Sequence, residues 1–101
     1  MVKKINKNEF QEATKGLTLV DFYADWCGPC RMVGPVVEDL SNTMTGVNFT
    51  KVNVDEESEL AALFGVRSIP TLVLLKDGAE VDRIVGFAAK QKLESFINNH
   101  K

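Results

Sequence analysis

Leu17-Thr18-Leu19-Val20-Asp21-Phe22-Tyr23-Ala24 is an almost continuous apolar run rich in β-formers. A strand with one wet face alternates apolar and polar residues, whereas a run apolar at successive positions needs both faces covered. The run therefore predicts a central strand in a sheet with helices on both sides, an α/β architecture. Before it, Asn8 is placed to cap a short helix in which Phe10 and Ala13 share a face, ending at Gly16. After it, Val33, Val37, Leu40 and Met44 recur at helical spacing, predicting a helix to about Met44 with a kink at Pro35. Phe49 to Val54 reads as a strand, and Asp55-Glu56-Glu57 places acid at the start of the next helix, where the dipole favours it. Leu60, Leu63 and Phe64 are its expected buried face, and Gly65 its end. Thr71 to Lys76, Asp77-Gly78 and Val81 to Val85 predict a hairpin. Gly86 breaks its second strand, and Leu93, Phe96 and Ile97 mark a closing amphipathic helix.

A chain of 101 residues with 45% hydrophobic and 26% charged residues is expected to be one domain, residues 1–101, with its own core. A net charge of −2 and no basic cluster larger than Lys3-Lys4 argue against a nucleic-acid partner. No apolar run approaches the ~20 residues of a membrane helix, so no membrane association is expected. Met1-Val2-Lys3-Lys4-Ile5-Asn6 has charges but no apolar h-region, which reads as a cytoplasmic rather than an exported chain.

Both cysteines lie in Trp26-Cys27-Gly28-Pro29-Cys30, where the central strand gives way to a helix. A disulfide closing so short a loop contributes roughly 2 kcal/mol in the chain-entropy model, against about 3 for fifteen residues, so it is a weak staple. The spacing suits a pair that switches between dithiol and disulfide. Cys27, at the helix N-terminus, meets unpaired N–H groups and the positive dipole end, which stabilise a thiolate. It is the expected nucleophile and the more exposed of the two. Cys30, one turn on, can resolve a mixed disulfide on Cys27. Gly28 allows a partner's backbone to approach and Pro29 preorganises the first turn. Two other readings stand beside this one. The pair could ligate zinc, but a structural site needs four ligands and the sole histidine is His100. It could also be inert core, since free cysteine is often buried.

Asp21 sits among Leu19, Val20, Phe22 and Tyr23, where burial would raise its pKa and fit it to exchange protons with Cys30. An aspartate reaching solvent at a strand end is the equal alternative. Lys51, on the neighbouring predicted strand, either tunes Asp21 or is a plain surface lysine. Ile69-Pro70-Thr71 opens a strand, and because only about 5–6% of X–Pro bonds are cis in folded proteins the residues alone predict trans.

Val20-Asp21-Phe22, the Trp26–Cys30 motif, Pro35, Lys51, Asp55, Ile69-Pro70-Thr71-Leu72 and Gly86 together make the chain resemble the thioredoxin family nearly end to end. The resemblance implies a thioredoxin fold, a central mixed five-stranded sheet flanked by four helices. It implies a cis Pro70 facing the cysteines, Asp21 as the buried acid/base and Lys51 as the group that tunes it. Trp26, Gly28, Pro29, Ile69, Pro70, Val85 and Gly86 would form an apolar substrate groove, with the Ile69 backbone pairing to an extended segment. Tyr23, Arg31 and Phe87 depart from the commonest pattern, which in the family favours tryptophan, lysine and a small residue at these places.

The expected activity is that of a protein-disulfide reductase, a thiol–disulfide oxidoreductase and electron carrier. It would have no bound cofactor other than the redox-active Cys27–Cys30 disulfide. Its partners would be disulfide-containing protein substrates and a thioredoxin reductase, and it would act as a monomer. An oxidant or isomerase is the nearest alternative, and Gly28-Pro29 speaks against it because such members often carry histidine between the cysteines. A binding subunit without redox turnover is the alternative from another class.

Overall fold

The computed structural model describes residues 1–101. Its elements are β1 (Lys3–Lys4), α1 (Phe10–Ala13), β2 (Leu17–Tyr23), α2 (Gly28–Thr43), β3 (Asn48–Asn53), α3 (Ser58–Leu63), β4 (Thr71–Lys76), β5 (Ala79–Val85) and α4 (Lys90–Asn98). The sheet runs β1-β3-β2-β4-β5. β3 pairs parallel with β1 and β2, while β4 pairs antiparallel with β2 and β5. The apolar run thus occupies the centre, as its composition predicts.

Side chains alternate across a strand, so β2 feeds two cores. Leu19 joins Leu72 and Leu74 of β4 against Val33, Val37 and Leu40 of α2 and Leu93 and Ile97 of α4. Val20 and Phe22 point the other way, with Val73, Leu75 and Val52, toward Leu60 of α3 and the half-buried Phe10 and Ala13 of α1. Asp21 shares the parity of Leu19 and therefore belongs to the α2 face.

Several local expectations need correction. Asn8 does not cap α1. Asn6 Oδ1 accepts from the Glu9 N–H at 3.0 Å while Glu9 Oε1 accepts from the Asn6 N–H at 3.1 Å. This reciprocal pair, three residues apart, satisfies two donors at once and outcompetes a lone Asn8. Leu63 is not part of α3's buried face but 73% exposed, since this six-residue helix turns Leu60 and Ala61 inward instead. Pro35 does lie inside α2. The hairpin turn is Asp77-Gly78, both at positive φ (50° and 85°), the geometry of a two-residue turn that follows strand twist. The Ile69–Pro70 bond is cis, against the trans expected from the residues alone and in line with the family resemblance.

Candidate active site

β2 ends at Tyr23, and four residues later Cys27 stands as the N-cap of α2, in extended conformation, with Pro29 in the helix's first turn. Cys27 and Cys30 are joined as a disulfide with Cα atoms 5.2 Å apart. The Cys30 N–H, one of the free donors of a helix start, points at Cys27 Sγ at 3.2 Å. A donor there favours negative charge on Cys27 over Cys30 when the bond opens. The expected difference in exposure is absent: Cys27 and Cys30 are 4% and 5% exposed, both packed with Ala24 under the half-buried Tyr23, Val54 and Ile69.

The Pro70 loop faces this pair. The Ile69 carbonyl oxygen lies 3.7 Å from Cys27 Sγ. A disulfide sulfur has no proton to donate, so this is a contact rather than a hydrogen bond. The Pro70 carbonyl accepts the Gly86 N–H at 2.8 Å, and Val85 pairs with Thr71, which ties the end of β5 to the loop. Cys27, Ile69, Pro70, Val85 and Gly86 are thereby brought together. Gly28 and Pro29 lie open at the first turn of α2. Trp26 is 68% exposed, its ring held from one end by an indole N–H donated to Asp55 Oδ2 at 2.8 Å. Phe87 and Val85 are exposed as well. The Trp26–Asp55 bond escaped the sequence reading because its partners are 29 residues apart. Arg31 donates to the Asp25 carbonyl at 3.0 Å.

Asp21 is buried, and its Oδ1 has no hydrogen-bond partner. Burial raises its pKa from 3.8 to about 7, partly opposed by the charge of Lys51. The solvent-reaching aspartate is thus excluded. Lys51 is its register partner on β3 and half-buried, but acts through space: its ammonium sits 5.5 Å from the centre of the Tyr23 ring. The register explains the pairing, since opposed residues of adjacent strands point to the same face. Asp21, Cys30 and Lys51 line one cleft. No three His, Cys, Asp or Glu residues converge as metal ligands, and His100 lies instead against Asp82.

Known proteins match this architecture along its length. The model of the Thioredoxin family matches residues 1–99. The thioredoxin of Chlamydia pneumoniae is 48% identical over 101 residues, covering 99% of both chains. That of Bacillus subtilis is 44% identical over 99% of this chain and 97% of its own. Among solved structures, the Malassezia sympodialis thioredoxin (Mala s 13) superposes with a TM-score of 0.90 at 42% identity, covering 99% of this chain and 90% of that one. Plasmodium falciparum thioredoxin also reaches 0.90, at 37% identity, over 99% of this chain and all of its own. A disulfide closed across one helical turn, in a chain matched at this identity over this length, is a reversible redox couple: the protein is a thiol–disulfide oxidoreductase and belongs to the thioredoxin family.

Proposed function

We propose that the reduced protein reduces disulfides of other proteins in two displacements. The Cys27 thiolate attacks one sulfur of the partner's disulfide, forming a mixed disulfide and expelling the first partner thiolate. The Asp21 carboxylate then takes the Cys30 proton. The resulting thiolate attacks Cys27 Sγ, closes Cys27–Cys30 and expels the second partner thiolate. Two electrons pass to the partner, and a reductase returns them. Lys51 tunes Asp21 by holding positive charge beside it, which favours the carboxylate form needed to accept a proton.

Trp26, Gly28, Pro29, Ile69, Pro70, Val85 and Gly86 form the groove that receives the partner. The Ile69 backbone pairs with an extended segment beside the scissile bond. Residues 1–101 act as one domain and a monomer in the cytoplasm, recycled by a thioredoxin reductase. The observation that carries the assignment of roles is the Cys30 N–H aimed at Cys27 Sγ, which makes Cys27 the better thiolate.

The test is the reduction potential of the couple, measured by equilibration with thiol/disulfide buffers and read by Trp26 fluorescence. A value more reducing than the glutathione pool is expected. A strongly oxidising value would reassign the protein as an oxidant or isomerase.

A further inference from the structure

α2 carries a glycine that no neighbouring element of the fold crowds. Gly34 lies one turn after Cys30, its φ is outside the left-handed region, and a Cβ placed on it would meet nothing within 4 Å beyond its chain neighbours and the backbone of its own helix. Glycine inside a helix is about 1 kcal/mol less favourable than alanine, so the empty space beside it stands out. That space belongs to two clefts. One, of about 240 Å³, is lined by Asp21, Cys30, Gly34 and Lys51 among others. The second, of about 340 Å³, shares Asp21, Gly34 and Lys51 and runs toward Val2 and Glu38. A water takes about 30 Å³, so each has room for several. The two clefts meet at a carboxyl whose Oδ1 has no partner and which keeps only 4% of its surface exposed.

We propose that Gly34 is a positioning residue for the proton step: its missing side chain leaves a wetted passage that brings water to the Asp21 carboxyl and links it to bulk solvent. The inference rests on the assignment of Asp21 as acid/base. In the resolving step Cys30 S–H passes its proton to Asp21, leaving a thiolate and a neutral acid. The neutral acid passes the proton to a passage water, which delivers it outward as hydronium and restores the carboxylate. Oδ1 is the atom that a passage water would hydrogen-bond. The titratable and charged groups facing Asp21 through these clefts are Tyr23 at the end of its own strand, Asp25 just beyond it, Lys51 from β3, and Cys30, Arg31 and Glu38 from α2. β4 places only Leu72 opposite it. At the outer end, Glu38 is held by the Val2 N–H at 3.0 Å.

Pro35 gives a glycine one other reason to be at position 34, because a proline ring crowds the Cβ of the residue before it in a helix. The two reasons separate experimentally. Gly34→Ala and Gly34→Val are compared with the unaltered protein by following the Asp21 carboxyl carbon through a pH titration by NMR, alongside the pH profile of disulfide reduction. Filling the passage removes water from the carboxylate, so the titration midpoint rises from Gly to Ala to Val. For Val the expected rise is about one pH unit, with the rate profile moving in step. A midpoint unmoved in both folded variants overturns the proposal and leaves relief of the Pro35 ring as the glycine's role. Asp21→Asn distinguishes the two layers. A flattened profile in Asp21→Asn with unmoved midpoints in the Gly34 variants defeats only the passage. An unchanged profile in Asp21→Asn defeats the acid/base assignment itself.

Discussion

Charges are handled in opposite ways on the two faces of the sheet. Around α3, Lys4 meets Glu56 at 2.7 Å, Lys7 meets Glu59, the Lys7 N–H donates to Glu57 at 2.7 Å, and the Arg83 guanidinium reaches the Phe64 carbonyl at 2.7 Å. Beneath the disulfide, Asp21 is buried with an unpartnered oxygen and one cation acting at a distance. The first arrangement is paired and, apart from Arg83, bathed in solvent, where ion pairs do little for stability. The second is a buried carboxyl with no direct partner, where a charge opposes folding. The difference teaches where to look for function: a buried carboxyl without a partner opposes folding, and groups of this kind cluster at functional sites.

The largest expected effect lies on the disulfide side. Cys30→Ser removes the resolving thiol, so turnover falls to background while mixed disulfides on Cys27 accumulate. Non-reducing gels after oxidative challenge read this directly, and failure to capture any partner would reverse the assigned order of attack.

Next is stability against pH. Between about pH 4 and pH 7 the folded chain still holds the Asp21 proton that the unfolded chain has released, so stability falls as pH rises through this window and stays lowered above it. Asp21→Asn lifts that penalty, stabilising the protein above pH 7 by up to about 4 kcal/mol, and the gain shrinks to nothing below pH 4. Denaturant unfolding across pH measures it; a pH-independent gain would mean that packing rather than charge is responsible.

An intermediate case sharpens the contrast. Arg83 is paired with Glu80 but half-buried, and it supplies the carbonyl at the C-terminal end of α3 with a donor. Arg83→Ala is expected to destabilise by about 1 kcal/mol, read from the urea midpoint. Lys4→Ala, at the solvent extreme, is expected to leave that midpoint unchanged at physiological salt. If Lys4→Ala proved as damaging as Arg83→Ala, burial would not be what separates the two faces.

The fold was legible where burial writes itself into composition. The β2 run is apolar at both parities because Leu19 and Val20 enter different cores, and the α2 stripe is spaced by the helix. It was less legible where short-range chemistry competes: Asn8 reads as the cap, but the reciprocal bonds of Asn6 and Glu9 take its place. β1, at two residues, is too short to carry a period. Cys27 and Cys30 announce themselves in sequence, but the pairing of Asp21 with Lys51 needs strand register, and Trp26 with Asp55 needs the chain to return. Nothing in the residues around Pro70 selects cis; the family resemblance supplied it. Gly34 carries no signal in the sequence, because what sets it apart is the empty space beside it.

The two margins of the sheet have a consequence for life in a crowded cell. β1 is only two residues long and both are lysines; β5 carries Glu80, Asp82 and Arg83, and its ladder is broken between Leu74 and Leu75. Short, charged and irregular edges discourage unfolded or extended chains from adding themselves as further strands. Both margins of the sheet thus resist being extended into an aggregate, although their backbone groups lie unpaired at its edges.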